Sequence, residues 1–286
     1  MAAEQEIIVL DSQRVNTFQN CAYKYDLTFN KSLEPVVKAE PLESGDLMHK
    51  MLEHYYTERG KMPFEQLVNE CIKRGETHAV TLQLPIEVVY DVVRVFKEYT
   101  EFYRHEPHMT LTLNGRAAVE QTGSKVMYED EFLKIIYETK IDWICTVGNI
   151  EVLPVDHKTS KRRGETVAIS NQFMGYCWML NVRNLMVNKI GFQTSLKPHE
   201  KFSRPLMSYA LPVIEAWVDN TVWWVKMLHY SMKTGHWPQN FTSCDKYSGC
   251  IFRPICESTP DTRGFKSSEL YKIGKKWDVG KELESE

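Results

Sequence analysis

The sequence predicts an α/β protein in which a strand-rich centre is preceded and followed by helices. Helical apolar periodicity dominates residues 1–109 and returns in residues 201–286, whereas residues 110–200 are rich in Val, Ile, Thr and aromatic side chains. Of the 286 residues, 43% are hydrophobic and 26% are charged, which excludes a mainly disordered, collagen-like or coiled-coil architecture. We therefore expect three regions with these boundaries around one buried core.

Four helices are predicted in the N-terminal region. They cover residues 12–30, 44–59, 64–74 and 85–104. The second is the best defined, because Ser44 can cap its N-terminus, apolar residues recur at helical spacing, and Gly60 can end it. Pro85 opens the fourth helix, and Pro107 lies beyond its end.

The central region contains predicted strands and one helix, and the C-terminal region contains one long helix. The strands cover residues 110–120, 131–145, 150–159 and 185–195, and the helices cover residues 170–180 and 212–234. Gly148-Asn149 is a turn signal, so the second and third strands should form an antiparallel hairpin. Gly235 can end the last helix, and the charged tail from Lys272 is expected to fray.

Charge and hydropathy restrict the class of protein. Lys and Arg total 35 against 38 Asp and Glu, a net charge of −3, so any contact with nucleic acid must come from local patches. The first residues lack the basic and apolar segments of a signal peptide, and no segment approaches the ~20 apolar residues that span a bilayer. We therefore expect a cytoplasmic protein that makes no membrane contact.

Acidic and basic side chains meet in the predicted hairpin. Asp156 and Lys158 share one face of their strand, and His157 points to the other face. A two-residue turn would place Asp142 one step from Asp156, and a three-residue turn would place the two directly opposite each other. Adjacent carboxylates repel each other unless a positive charge lies between them, and hard cations such as Mg²⁺ or Mn²⁺ prefer oxygen ligands. The plain alternative is a salt-bridged hairpin, in which Asp156 pairs with Lys158 or Lys140.

The seven cysteines are an odd number in a chain without a secretion signal, so no disulfide framework is expected. Three of them have apolar neighbours and are expected in the core, namely Cys71, Cys145 and Cys177. A C-x5-C-x5-C run in a loop-like segment suggests a soft metal centre, and its members are Cys244, Cys250 and Cys256. Cys21 is the best candidate for a fourth ligand. Zinc is one option for this site, and loop cysteines without metal are another.

Asp142 followed by the run Asp156-His157-Lys158-Thr159 resembles the core motifs of the PD-(D/E)XK nuclease superfamily, in its RecB-like branch. The segment from Gly45 to His49 resembles the upstream G-x-x-x-H of that branch, whose His binds metal. The resemblance implies a restriction-endonuclease-like fold, with a mixed sheet flanked by helices. It also implies that His49, Asp142 and Asp156 bind Mg²⁺ or Mn²⁺, that the His157 carbonyl is a further ligand, and that Lys158 is the catalytic lysine.

Other positions extend the resemblance in the same order along the chain. Glu120 resembles the acidic residue before the core hairpin and would act in the catalytic site. Gln172 and Tyr176 resemble the Q-x-x-x-Y helix of the branch and, on one helix face, would hold a DNA phosphate or the catalytic lysine. The basic run Lys161-Arg162-Arg163 follows the D-x-K-T strand and would attract phosphates. Lys140 stands where the branch often has Gly.

Cys21 together with the C-terminal cysteine run resembles the 4Fe–4S cluster of AddB-type and CRISPR-associated RecB-like exonucleases. In those proteins, too, one cysteine precedes the nuclease core and three follow it. The resemblance implies that the N- and C-terminal parts of the chain are joined at a four-cysteine cluster. The usual run begins with C-x2-C, whereas this chain has C-x5-C-x5-C, so zinc stays as the alternative metal.

The resemblance implies a metal-dependent DNA exonuclease that acts on single-stranded ends in DNA recombination, repair or processing, in a bacterial or phage-encoded setting. No G-x-x-x-x-G-K-[ST] motif is present, so the chain carries no Walker-type ATPase, and a helicase or recombination protein is the expected partner besides DNA. Two alternatives stay open. One is a catalytically inactive DNA-binding or assembly subunit, and the other is a cysteine-rich zinc module without catalysis.

Overall fold

A computed structural model describes residues 5–36, 41–148, 151–160, 169–246 and 249–274. The chain divides into two compact units. The central unit comprises residues 39–123 and 140–211, and the terminal unit comprises residues 1–38, 124–139 and 212–286. The division into three regions at residues 109 and 200 stays a prediction.

The helices and strands are numbered along the chain. The helices are α1 Ser12–Asn20, α2 Ala22–Tyr25, α3 Pro41–Glu58, α4 Phe64–Leu82, α5 Ile86–Phe102, α6 Asn171–Leu180, α7 Pro198–Lys201, α8 Leu211–Thr234, α9 Arg253–Cys256 and α10 Arg263–Leu270. The strands are β1 Glu6–Leu10, β2 Leu33–Pro35, β3 Met109–Thr110, β4 Thr112–Leu113, β5 Arg116–Ala117, β6 Val119–Glu129, β7 Leu133–Val147, β8 Glu151–Ser160, β9 Asn184–Gly191, β10 Phe202–Ser203, β11 Leu206–Ser208 and β12 Tyr271–Ile273.

The central unit is built on a mixed sheet. The second half of β7 pairs antiparallel with β8, and β8 pairs parallel with β9. On the far side, β9 pairs antiparallel with both β10 and β11, and β3 pairs antiparallel with the end of β7. The parallel β8–β9 pair requires a crossover, which α6 supplies, as expected for strands that cannot be joined by a tight turn. The predicted α/β class with a mixed sheet is confirmed.

Helices cover both faces of this sheet. On one face, the apolar sides of α3, α4 and α5 form a core with Trp143, Val155 and Met186 of the three central strands. On the other face, Tyr176 of α6 packs with Ile141 and other buried side chains. Burial on both faces explains the short uninterrupted apolar segments at residues 152–155 of β8 and 185–187 of β9. The arrangement is that of a restriction-endonuclease-like core.

One glycine permits the close approach of α3 and α4. A Cβ atom on Gly75 would lie 2.7 Å from the Met51 side chain, so only Gly fits at this contact without movement of Met51. The prediction that this helix ends near residue 74 is therefore wrong, since α4 continues to Leu82. Gly75 is a packing position and does not end the helix.

The terminal unit joins segments from the two ends of the chain. Phe18 and Tyr25 of the first two helices pack with Leu228 of α8. A second cluster joins Leu27 to residues near the C-terminus, including Phe252 and Tyr271. Strand β1 pairs parallel with the first half of β7, and β12 pairs antiparallel with β2. Both ends of the chain thus contribute to one core.

Several elements differ from the sequence prediction. The predicted helix over residues 12–30 is interrupted at Cys21, whose backbone is extended, and it ends in a π-helical turn. Strands β1 and β6 were not predicted. The run that forms β6 has few buried positions and contains Gly123, so its polar composition is typical of a loop. Within the part of the chain that the structure describes, no helix has both the length and the apolar character needed to cross a bilayer.

Candidate active site

The β7–β8 hairpin brings the two predicted aspartates together. The register pairs Trp143 with Val155, so the next position along places Asp142 opposite Asp156. This is the register of the three-residue alternative, because Val147 pairs with Glu151, and the two-residue alternative does not hold. The backbone N–H of His157 donates a hydrogen bond of 2.6 Å to Asp142 Oδ2, which fixes this carboxylate across the hairpin.

His49 reaches the hairpin from α3. Its Nδ1 lies 3.8 Å from Asp142 Oδ2, and its Nε2 lies 3.1 Å from the His157 carbonyl oxygen. Gly45, one turn earlier, permits this approach, since a Cβ atom there would lie 3.0 Å from Thr159 Oγ1 of β8. Burial lowers the pKa of His49, with the Lys158 ammonium as a second cause. The imidazole is therefore kept neutral, which is the form that binds metal ions.

Glu120 enters the site from the start of β6. Its φ is +50°, in the left-handed region that residues with a side chain rarely adopt. Two hydrogen bonds hold the backbone just before it, since Ala118 N–H donates to the Leu111 carbonyl and the Ala118 carbonyl accepts from Ile144 N–H. Such a conformation costs on the order of 1–3 kcal/mol and is found mainly at functional sites. The strain here directs one carboxylate toward Asp142.

These side chains form a candidate metal site. One ligand atom each from His49, Glu120 and Asp142 lie within 4.8 Å of one another. The set differs from the predicted ligands, because Glu120 belongs to this tight group whereas Asp156 does not. Asp156 is buried beside it, and one of its oxygens makes no hydrogen bond of normal geometry although Lys158 Nζ is 2.9 Å away. A donor set of carboxylate oxygens and one imidazole nitrogen fits a hard divalent cation.

A chain of hydrogen bonds holds Lys158. Its Nζ donates to Asp156 Oδ1 at 3.1 Å and to Gln172 Oε1 at 2.9 Å. Gln172 Nε2 donates to Tyr176 OH at 2.9 Å, and this hydroxyl donates to the Lys140 carbonyl at 2.7 Å. Ser170 caps α6 through Phe173 N–H, so the helix begins where Gln172 can reach the ammonium. The Q-x-x-x-Y helix therefore lies against the lysine of the hairpin.

The charges of the site are unevenly paired. Lys158 pairs with Asp156, and Lys140 Nζ lies 3.1 Å from Glu120 Oε2. Burial raises the pKa of Asp142 well above its usual range, and the Asp156 and Glu120 carboxylates raise it further. Burial also raises the pKa of Glu120 and Asp156, and in each case the neighbouring lysine opposes the shift. Asp142 is therefore the carboxylate whose ionised form a divalent cation would stabilise most.

The remaining predicted residues are placed as follows. The His157 carbonyl faces His49, and the His157 ring points away from Asp156 and Lys158, as alternation requires, with 5.7 Å between its centroid and that of the His49 ring. Lys161, Arg162 and Arg163 lie outside the described residues. Sequence reasoning did not anticipate that Lys140 pairs with Glu120, and its only signal was a lysine where the RecB-like branch often has glycine.

The four predicted cluster cysteines all belong to the terminal unit. Burial raises the pKa of Cys244, and the nearby Cys250 and Cys21 thiols raise it further. Burial raises the pKa of Cys256 as well, and the other three thiols are among the further causes. The Asn240 backbone N–H lies 3.4 Å from Cys21 Sγ and joins the two ends of the chain here. The four thiols are thus neighbours, but among the described residues the group of ligand atoms within 4.8 Å is the one at His49.

Comparisons with known proteins bear on the family. A comparison with curated proteins gives no match. A solved structure described as "Crystal structure of SSO0001" is similar at 14% sequence identity and a TM-score of 0.33, over 75% of this chain and 84% of that one. The family model of the PD-(D/E)XK nuclease superfamily matches residues 12–257, which is most of the chain. The chain belongs to the PD-(D/E)XK nuclease superfamily.

Proposed function

We propose that the protein is a Mg²⁺- or Mn²⁺-dependent DNA exonuclease that acts on single-stranded ends in DNA recombination, repair or processing. The observation that carries this proposal is the three-ligand group that His49 and Glu120 form with Asp142 of the hairpin, which also presents Lys158. Membership of the nuclease superfamily supports DNA as the substrate.

His49, Glu120 and Asp142 would hold the cation, and Asp156 and the His157 carbonyl lie next to them. When bound, a divalent cation polarises a phosphoryl oxygen and lowers the pKa of water. The two carboxylates of Glu120 and Asp142 would neutralise its two positive charges, and the cation would in turn offset the negative charge that now raises the pKa of Asp142.

Among the described residues, Lys158 is the group best placed to stabilise negative charge on the phosphate. Its side chain is about half exposed, and Asp156 and Gln172 fix the position of its ammonium. A fixed ammonium stabilises negative charge that develops on a phosphate oxygen, and it does so without reorganising during the reaction. Tyr176 in turn holds Gln172, so the α6 residues would act by positioning the lysine.

End-labelled single- and double-stranded DNA tests the proposal. We expect Mn²⁺-dependent degradation of linear single strands that EDTA stops, and no cleavage of circular single strands. Asp156→Ala and Lys158→Ala should abolish cleavage while the circular dichroism spectrum and the unfolding transition persist. Full activity in either variant would refute the assignment, and DNA binding without cleavage would favour the inactive assembly subunit. Cleavage of circles would contradict the exonuclease part alone.

We further propose that Cys21, Cys244, Cys250 and Cys256 hold a 4Fe–4S cluster with a structural role. The neighbouring thiols contribute to the raised pKa of Cys244 and of Cys256, which supports a shared site. One zinc ion would need its ligands at ~2.3 Å, and the looser grouping of the thiols fits a larger cluster better. Binding would join the two chain ends and couple metal loading to folding of the terminal unit.

Purification without oxygen tests the cluster. We expect a brown protein with about four iron and four sulfide per chain, the composition of a [4Fe–4S] centre ligated by four cysteines. Cys250→Ser should lose the iron and lower the stability of the terminal unit, whereas Cys177→Ser, at a buried core cysteine, should keep the iron. A colourless, zinc-loaded preparation would support the zinc alternative and contradict the cluster.

A further inference from the structure

A buried polar network lies behind the candidate metal site, on the face of β8 opposite to Asp156 and Lys158. The ring of His157 is buried there and stacks on the Tyr56 ring at 5.6 Å between centroids. Its Nδ1 lies 2.8 Å from Asn188 Nδ2 of the neighbouring strand β9. The register pairs His157 directly with Asn188, so this contact joins the two strands at the position of the site.

Arg204 fixes the orientation of the Asn188 amide. Arg204 Nε donates to Asn188 Oδ1 at 3.1 Å, and this assigns the oxygen of the amide. The NH₂ group therefore points toward His157 and also donates to Tyr99 OH at 2.7 Å. An NH₂ group can only donate, so His157 Nδ1 accepts and the ring proton lies on Nε2. The tautomer of His157 is thus set by a residue that does not touch it.

Arg204 itself has its side chain held in one place. Its Nη2 donates to Tyr56 OH and to Tyr99 OH, each at 2.8 Å. Its Nη1 forms an ion pair with Glu106, and its guanidinium lies 3.6 Å from the centroid of the Tyr103 ring. The rigid planar fork of a guanidinium matches several acceptors at once, which a lysine cannot do. The network therefore has one arrangement of donors and acceptors.

This arrangement reaches the metal site through the backbone of His157. The N–H of His157 donates to Asp142 Oδ2, and its carbonyl meets His49 Nε2. A ring that cannot turn or shift holds the peptide groups on either side of it. Asp142 and His49, two of the three candidate metal ligands, are therefore oriented by the two peptide groups of His157. The network holds the His157 side chain in place and, with it, these peptide groups.

We propose that Asn188 and Arg204 are positioning residues of the metal site and act through His157. The inference rests on the proposed function, and it assigns to the network a role in metal affinity beyond its role in stability. Groups that orient metal ligands through hydrogen bonds, without binding the metal themselves, typically change metal affinity or activity about 10- to 100-fold when they are removed. A network that only stabilises the fold would leave the affinity of the folded protein unchanged.

The test is the affinity of the folded protein for Mn²⁺, measured by isothermal titration calorimetry, with urea unfolding measured in parallel. Asn188→Leu keeps the approximate volume and removes the amide, and we expect its Mn²⁺ affinity to fall about tenfold or more. We expect kcat to fall and KM for DNA to stay near the wild-type value, because among the described residues the hydrogen bonds of Asn188 and Arg204 go to buried groups and not to Lys158 or Gln172. Arg204→Lys keeps the positive charge but loses the planar guanidinium, so its Mn²⁺ affinity should also fall, but by less.

Two control variants separate positioning from stability. Asn184→Leu removes the same kind of side chain on the same strand, where the Asn184 amide donates to the exposed Glu151, and should bind Mn²⁺ like the wild type. Ile190→Val lowers stability from a buried position of β9 that contributes no polar side chain to the network, and it should also keep its affinity. An Asn188→Leu affinity within about twofold of the wild type, below the range of such effects, would overturn the inference.

The result also separates this inference from the proposed function. If the wild type binds no Mn²⁺, the proposed metal site fails. If the wild type binds Mn²⁺ and Asn188→Leu binds it equally well, the positioning role fails and the metal site stands. If Asn188→Leu does not fold, the Mn²⁺ affinities of Arg204→Lys and Asn188→Ala, measured by the same titration, test the positioning role instead.

Discussion

The two faces of strand β8 carry similar polar groups but differ in how their charges are balanced. On the front face, Glu120, Asp142 and Asp156 meet the ammonium groups of Lys140 and Lys158, and Asp142 has no lysine hydrogen bond among its described contacts. On the back face, Arg204 and Glu106 form a buried ion pair, and further hydrogen bonds surround the guanidinium. On the proposed function, an added cation would stabilise the front face, whereas the charges of the back face are paired without one.

The difference follows from the physical requirements of each face. A buried ion pair with its hydrogen bonds satisfied is rigid, because any rearrangement leaves a charge unpaired in a medium of low dielectric. Carboxylates that repel one another store energy that a ligand can release. In the proposed metal site, the front face supplies carboxylates that repel one another, and the back face supplies a rigid support for them. Variants of each face can test these two roles separately.

The largest expected effect is on the stability of the back face. Arg204→Met removes the guanidinium and leaves Glu106 buried with fewer partners, so the free energy of unfolding should fall by about 3–5 kcal/mol. Urea unfolding measures this difference. Lys201→Met is a useful comparison, since Lys201 is also buried but pairs with the more exposed Glu98 and should cost less. A loss below that of Lys201→Met would mean that the back face is not the rigid support.

The front face should respond in the opposite direction. Asp142→Asn keeps the acceptor for His157 N–H but removes a charge that burial and two carboxylates disfavour. At neutral pH the free energy of unfolding should rise, by ~1.4 kcal/mol for each pH unit between the unfolded pKa of Asp142 and its raised folded pKa, and this gain stops growing once the folded pKa exceeds the solution pH. Thermal unfolding in EDTA measures this change. A destabilised Asp142→Asn would show that the front carboxylates are balanced without a metal ion.

A moderate effect is expected where the lysine is held. Gln172→Ala removes the acceptor of one Lys158 hydrogen bond, so kcat should fall about tenfold while Mn²⁺ affinity is retained. Steady-state cleavage of labelled single strands measures kcat. Gln172→Glu, which restores an acceptor, should recover part of the loss. Unchanged kcat in Gln172→Ala would remove α6 from the catalytic arrangement.

The smallest expected effect is a dependence of stability on acid pH. Burial raises the pKa of Glu106, but His108, Arg204 and Arg59 outweigh it and hold the pKa below its usual value of 4.5. The unfolded chain therefore binds more protons than the folded one below that value, and the stability from Glu106 is lost as pH falls through the folded pKa. Unfolding of wild type and Glu106→Gln across this acid range should show a shallower decline in the variant.

The sequence predicted the chemistry of the front face well, because that chemistry lies in one local hairpin. Alternation placed Asp156 and Lys158 on one face, and the structure shows them in contact. The register of the hairpin stayed open, since a turn of two or three residues shifts every pair by one position. The resemblance to the superfamily, confirmed by the family model, gave the nuclease class that local chemistry could not.

The back face could not be predicted in the same way. Arg204, Glu106 and Asn188 lie far apart in sequence, and no local pattern joins an arginine after β10 to a glutamate before β3. Their contacts exist only after strands β8 and β9 pair and α3 and α5 pack on them. Glu120 was predicted from the resemblance, whereas its left-handed backbone was not, because nothing in the residue type favours that conformation.

Calorimetric titration of Mn²⁺ into the wild type and Asp142→Asn is the sharpest test of the proposed metal site. We expect the wild type to bind one Mn²⁺ tightly. We expect Asp142→Asn, folded and no less stable, to bind it far more weakly. Equal affinity in the two proteins, or no binding to the wild type, would contradict a metal site formed by His49, Glu120 and Asp142.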